Sequence, residues 1–568
     1  MERRQFFQFG AAAMGLFAST AVLRDSEQVH ASELNLGAKF GKSELEADVV
    51  IIGGGLGGCA AALAALRNGL NVIMTEETDW IGGQLTSQAI PPDEHQWIET
   101  RGATALYLQL RRSIREYYRR YYPLTDAAQT RENLNPGDGW VSRLCHEPRV
   151  ALAVLLDMFS PYFSTGRFTL LLEYKAISAD VVGDSVRVIN VINRQNSKEY
   201  ILKAPHFIDA TELGDLLPLT GTEFRTGSES REETNEFHAP NVGNPNDQQS
   251  FTVAFAMDYD KDGNHVIDKP AEYDFWREFE PEVTPPWRGS KQLPLTYGQF
   301  PTPQLFRPDG VSTGDVPNFW TYRRIINRNN FLPGTYRGDI TIVNWAQNDY
   351  LMGNLDGSEE EFTCQVARAK QLSLSLFYWL QTEIPRPDGG QGWAGLRLRG
   401  DVLGTDDGMA KYPYIRESRR IKAIFTVLEE HVGKQQRESI TGQTEEFAAP
   451  FFDSVGVGYY PIDIHASTGG LNSIGLPSLR FQIPLGALLP QRMVNLLPAC
   501  KNIGVTHITN GCYRLHPVEW NIGESAGMLV VFAQQKNVPP CAVRENSALL
   551  DEFQNLIRAQ GVETHWKA

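Results

Sequence analysis

Two stretches gather the residue types that move protons and hold anions. Near the C-terminus, GVTHITNGCYRLHP brings His507, Arg514 and His516 close in sequence, and mid-chain YIRESRRI sets Arg416, Glu417 and Arg419 almost side by side. A histidine that titrates near neutrality can take the proton of a hydroxyl or amine, and an arginine can fix a carboxylate or stabilise an alkoxide. His507, Arg514 and Arg416 are therefore the candidate catalytic residues. Each position also suits a core histidine or a structural ion pair, and Arg416 with Glu417 reads equally as an interdomain pair.

Such groups need a scaffold, and DVVIIGGGLGGCAAALAALRNGLNVIMTEE, Asp48 to Glu77, predicts one. Val49 to Ile52 is β-branched and apolar throughout, as a strand buried on both faces should be. Gly53, Gly55 and Gly58 follow as GxGxxG and open an alanine-rich helix. In that setting the first glycine permits the tight turn, the second admits a pyrophosphate to backbone N–H groups, and the third allows close helix–strand packing. Glu76 ends the second strand, placed for a ribose diol, and its charge disfavours the 2'-phosphate of NADP. The motif alone leaves NAD and FAD open.

Three later stretches narrow the choice: WIGGQLTSQ, where Gly82-Gly83 lets a second backbone segment run beside the pyrophosphate, IDATELGD, and ACKNIGVTHITNGCYRLHPVEWNIGESAG. From Asp48 to about Gln535 the chain resembles the FAD-dependent oxidoreductases of the glutathione-reductase-like superfamily. The likeness is to the branch with GGQ, DATGDGD and a C-terminal AGRxISATHxAxGSxRxxPxxxxxGQAAG. YIRESRRI resembles that branch's YVREARRM, and GYYPIDIH its YPIDLH.

The resemblance implies non-covalent FAD, with Gly53, Gly55 and Gly58 on the pyrophosphate and Glu76 on the adenosine ribose. It puts Gly83 and Gln84 along the flavin or its phosphates and the backbone of Ala176 at the adenine. Ala210, Thr211, Asp215, Asn502, Gly523 and Ala526 complete the implied cofactor set. A helix beginning near Gly523 would aim its positive end at the flavin N1/O2 edge, favouring hydride uptake. Several positions depart from the branch: Glu212 replaces a glycine, Cys500-Lys501-Asn502 replaces GRC, Cys512 a serine and Glu524 a glutamine. The expected function is oxidation of a small organic substrate by hydride transfer to FAD. A redox-neutral flavoprotein lyase or isomerase is the alternative, and a binding module that no longer reduces its flavin is a third reading. The single GxGxxG argues against a dedicated NAD(P)H domain.

The expected fold class is α/β: a Rossmann-like FAD-binding domain, with a parallel sheet, helices and a β-meander, carrying a large inserted α+β substrate domain. The expected boundaries are 1–31 signal peptide, 32–46 linker, 47–220 and 487–540 FAD-binding domain, 221–486 insert and 541–568 tail. The spacing predicts an amphipathic helix over Thr104 to Tyr122 with a solvated basic face, and one near Arg149 to Phe159. Helices are also predicted at QVARAKQLSLSLFYWLQ and PYIRESRRIKAIFTVLEEHV. DYDKDGNHVIDK opens like a calcium loop but has Lys269 where a bidentate carboxylate is needed, so a hairpin turn at Asp262-Gly263 is the better reading.

At 568 residues, 42% apolar, the chain is long enough for several packed units. Its 53 Lys and Arg against 68 Asp and Glu give a formal charge of -15, which argues against non-specific nucleic-acid or anionic-membrane binding. The six scattered cysteines form no CxxC pair and read as buried thiols with at most one disulfide. Arg3-Arg4, a weakly apolar run from Phe9 to Leu23 and Val29-His30-Ala31 resemble a twin-arginine export signal with its cleavage site. The expected partners are a small-molecule substrate and the twin-arginine export machinery, with no nucleic acid and no stable membrane insertion. The expected location is the periplasm.

Overall fold

A computed structural model describes residues 43–295, 305–310 and 318–567; the signal-peptide reading lies outside them. The strands β1 (Ser43–Glu46), β2 (Val49–Ile52), β3 (Val72–Glu76), β4 (Phe168–Leu172), β5 (Tyr174–Val182), β6 (Ser185–Asn193), β7 (Glu199–Lys203), β8 (His206–Asp209) and β9 (Leu496–Pro498) build two sheets. The first, in order β9-β8-β2-β3-β4, is parallel throughout. Its central strand β2 is wholly buried, as an unbroken apolar run requires. The second, β1-β7-β6-β5, is the expected meander, with β1 added in parallel at its edge. The fold is α/β and Rossmann-like.

Helix α1 (Leu56–Arg67) is buried from Leu56 to Leu66, because the sheet lies on one side and the helix α5 (His516–Lys536) on the other. A helix apolar all round needs such double cover. Small residues let the two backbones meet: a Cβ on Gly523 would strike the Gly57 carbonyl, and one on Gly527 the Ala61 carbonyl.

The middle of the chain has its own aromatic core around Trp276, Trp320, Phe255 and Tyr350. Its antiparallel sheet runs Arg324–Ile326, Ile340–Val343, Phe255–Tyr259, Leu396–Leu398, and helix α4 (Glu359–Thr382) packs beside it behind a Ser358/Glu361 capping box. Helix α2 (Ala105–Tyr121) and helix α3 (Pro148–Ser164) form as the spacing predicts.

Four expectations change. The basic face of α2 is not all solvated: Arg111 and Arg115 are buried, paired with Glu94 and Glu99 from a loop that folds onto them. PYIRESRRI is extended, not helical, since its charged side chains are drawn to partners on several sides. Only Glu429–Val432 of that stretch is a helix. Phe255–Tyr259 pairs with Ile340–Val343 and Leu396–Leu398 and not with the HVID segment, although Gly263 N–H does close a turn on Asp260. The last long helix starts at His516, about two turns before Gly523, where Pro517 sits in its first turn. All six cysteines are free thiols; Cys364 is exposed. No helix among the described residues is long and apolar enough to cross a membrane.

Candidate functional site

At the C-terminal ends of β2, β3 and β8 the chain forms a cleft. Gly53, Gly55, Glu76, Gly83, Ala176, Ala210, Thr211 and Asp215 line it together. Gly53 has φ +100°, and a Cβ there would run into the Ala210 carbonyl. Gly82, at φ +107°, donates its N–H to the Gly54 carbonyl at 2.7 Å, so the GGQ segment does run along the glycine turn. Glu76 accepts from Gly54 N at 3.0 Å and from Thr78 N and Oγ1 at 2.9 and 2.8 Å. Burial pushes its carboxyl up to about 8 against those Thr78 bonds.

Other predicted cofactor residues stand behind the cleft. Gly58 packs on the Gly53 carbonyl, and Gly523 and Ala526 lie inside α5 against α1. Asn502 donates to the Asp209 carbonyl at 3.1 Å and accepts from Cys500 N, tying the C-terminal segment to β8. Gln84 donates to the Arg514 carbonyl at 3.0 Å and to Glu519.

Behind Glu212 of the cleft lies a buried charged cluster, at positions that depart from the pattern the chain resembles. Lys501 pairs with Glu212, and its Nζ lies 4.0 Å from Glu519 and 3.4 Å from the Cys500 sulfur. Glu519, in the first turn of α5, also accepts from Gly57 N at 3.1 Å. Burial works against the Lys501 ammonium, but the surrounding Cys500, Glu212 and Glu519 keep its proton on. Glu212, Cys500 and Glu519 could together hold a metal by their spacing. The Lys501 ammonium is already the cation of that cluster.

A second cavity, of 450 Å³, is lined by Asp93, Arg323, Tyr414, Arg416, Asp463, His465 and Arg514 with several aromatic rings. Arg514 pairs with Asp463 at 3.1 Å and donates to the Tyr414 hydroxyl at 2.8 Å. Arg416 pairs with Asp349 at 3.0 Å. His465 lies between two carboxylates, Nδ1 2.6 Å from Asp349 and Nε2 3.4 Å from Asp463. Arg514 is in the cavity wall, and its carbonyl accepts from Gln84, the residue next to Gly83 of the cleft.

His507 does not line this cavity. It is buried with Nδ1 2.9 Å from Glu417, which also pairs with Arg420. Burial opposes the charge on His507, but Glu417 raises its pKa above the ordinary value and so favours the protonated ring. Arg416 and Glu417 find separate partners and not each other. The sequence reading did not single out His465, Asp463, Asp93 or Arg323. GYYPIDIH, quoted for its likeness alone, contains the first two, and an acid-x-histidine pair there was the available signal.

A family model described as FAD dependent oxidoreductase matches residues 48–557. The chain belongs to that family. No curated protein matches it. Among solved structures it is similar to OxyS anhydrotetracycline hydroxylase from Streptomyces rimosus, with 12% identity, TM-score 0.31, and 91% of this chain and 66% of that one covered. A geranylgeranyl bacteriochlorophyll reductase-like protein from Thermoplasma acidophilum gives 11% identity, TM-score 0.31, and coverage of 92% and 86%. For L-proline dehydrogenase from P. horikoshii the figures are 16%, 0.17, and 34% and 27%. The chain spans about half or less of the length of the first four structures it matches.

FAD is the cofactor of this family member, and the cleft suits it on its own terms. The glycine turn leaves no room for side chains beside the N-terminus of α1. The buried amide of Gln88, in the cleft wall, has neither atom partnered, and Gln84 Oε1 is likewise free. A flavin dinucleotide supplies acceptors and donors for such groups, whose burial without partners is costly. Glu212 lies 2.9 Å from where a Cβ on Gly55 or Gly83 would be, so its carboxylate borders the phosphate position. Gly53, Gly55, Glu76 and Ala176 are the lining residues that would hold the cofactor, with Lys501 buried behind Glu212.

Proposed function

We propose that the chain is an exported FAD-dependent oxidoreductase that takes hydride from a small organic substrate bound in the 450 Å³ cavity. What supports the reading is the link from cavity to cleft through two segments: Arg514 is in the cavity wall, and its carbonyl accepts from Gln84, whose neighbour Gly83 lines the cleft. FAD, when bound, supplies the hydride acceptor. The chain does the rest: Arg514 and Arg416, each fixed by a carboxylate, orient the substrate. His465 turns Nδ1 to Asp349 and Nε2 to Asp463, and this Nε2–Asp463 pair is the acceptor that takes the substrate's proton. Anaerobic addition of the true substrate should bleach the flavin band. His465→Gln should slow that bleaching by about 10²–10³-fold while FAD stays bound, the scale expected for losing a general base. Unchanged bleaching in the variant would remove His465 from the reaction, and product formed with the flavin oxidised throughout would point to redox-neutral chemistry.

Export is part of the same proposal and rests on the Arg3-Arg4 pair and the Val29-His30-Ala31 site. Twin-arginine export carries folded proteins, which suits an enzyme that takes up FAD in the cytoplasm. Replacing Arg3 and Arg4 by Lys should keep a yellow, uncleaved protein in the cytoplasm, while the parent appears in the periplasm starting near Ser32. Recovery of the parent in the cytoplasm with Met1 intact would sink the localisation.

A further inference from the structure

We infer that the cavity takes a neutral, ring-shaped polyhydroxy compound, a monosaccharide, glycoside or cyclic polyol. The inference rests on the proposal that this cavity is the substrate site. Its charges are balanced before any ligand enters. Arg323 is met by Asp93 at 3.4 Å, Arg416 by Asp349 at 3.0 Å and Arg514 by Asp463 at 3.1 Å. Among the described residues of the wall, an anion therefore meets no guanidinium without its own carboxylate, and an amine no carboxylate without a guanidinium or imidazole beside it. Bringing either into such a site costs its hydration without a new counter-charge.

An apolar ligand is no better suited. The wall also carries Asp93, Asp463, Arg323, Arg514, His465 and the Tyr414 hydroxyl. A dry ligand would strip water from those groups and give no hydrogen bond in return. Hydroxyl groups answer both conditions, because each donates to a carboxylate and accepts from a guanidinium or indole N–H without carrying charge.

The remaining wall is aromatic. Phe319 and Trp345 stack with centroids 4.9 Å apart and 21° between planes, and Trp140 packs on Tyr322 at 4.3 Å. Rings of this kind offer flat apolar faces to the C–H face of a sugar or cyclitol, while their polar edges stay with water or hydroxyls. At 450 Å³ the space falls within the ~300–1,000 Å³ usual for small-molecule sites.

The test uses the full FAD-loaded chain under anaerobic conditions, titrated with methyl glucoside, myo-inositol, glucuronate and glucosamine. Tryptophan fluorescence reports binding and the visible flavin band reports reduction. Methyl glucoside or inositol should quench saturably, with glucuronate and glucosamine at least tenfold weaker. Asp463→Asn should release Arg514 from its carboxylate and improve glucuronate binding at least tenfold over the parent. Trp345→Leu, scored on protein that keeps its FAD, should weaken the neutral ligands by tenfold or more. Best binding by glucuronate or glucosamine, or by no member of the panel, overturns the assignment. A neutral sugar that binds but never bleaches the flavin keeps this inference and removes the hydride reading. Bleaching by an acid or amine that no sugar displaces does the reverse.

Discussion

At the scale of single residues, the positions that depart from the family pattern are the informative ones. Lys501 and Glu212 form a buried pair beside the glycine turn that would seat the phosphates of FAD. Bound FAD should take over Lys501 from Glu212. Lys501→Ala should therefore weaken FAD retention by a charge-assisted bond, ~1.5–3 kcal/mol, and Glu212→Gln should tighten it by freeing the ammonium. FAD dissociation constants measured on the stripped protein decide the matter, and equal values for Lys501→Ala and parent would take Lys501 off the phosphates. Glu524, standing where relatives have Gln, is buried within α5 and accepts from Trp520 Nε1 at 3.1 Å. Burial pushes its carboxyl from 4.5 to about 7. A carboxyl raised in this way favours the folded state below pH 4.5 and loses that contribution as pH climbs through 7. Glu524→Gln, which cannot ionise, should match the parent in melting temperature near pH 4.5. It should exceed the parent above pH 7 by up to ~3 kcal/mol, taking 1.36 kcal/mol per pKa unit. A gap that widens toward acid would refute the assignment.

At the scale of elements, the β2–turn–α1–β3 unit was legible because one short stretch encodes it: a strand buried on both faces, a turn that only glycine can make, and a helix of small residues. PYIRESRRI was not legible. Its apolar spacing fits a helix, yet Arg416, Glu417 and Arg420 each bond to groups remote in sequence, Asp349, His507 and Glu229 among them. No local rule anticipates long-range pairing strong enough to hold a helical pattern extended. The same limit hid one partner of His465, since Asp349 is remote in sequence while Asp463 stands only two residues away. Gly523 was legible in identity and not in role. It begins no helix but lets α5 settle on α1. Gly523→Val should thus destabilise the fold by at least the ~1–3 kcal/mol of an overpacked core, seen as a lowered denaturation midpoint. An unshifted midpoint would mean that the two helices can part without cost.

At the scale of the whole molecule, the contact between α1 and α5 closes a long circuit of chain, since 449 positions separate Arg67 from His516. During synthesis the alanine-rich helix leaves the ribosome with one face against its sheet and the other bare. At ~5–20 residues per second its cover follows roughly 20–90 seconds later. Loop closure over that span is slow compared with the local strand–helix steps that precede it. Glu519, which bonds to Gly57 at the head of α1, arrives with that same late segment. The nucleotide cradle is thus begun by the first hundred residues and finished only by the last sixty. A nascent chain stalled anywhere between them carries an apolar helix face that a chaperone must shield until translation ends.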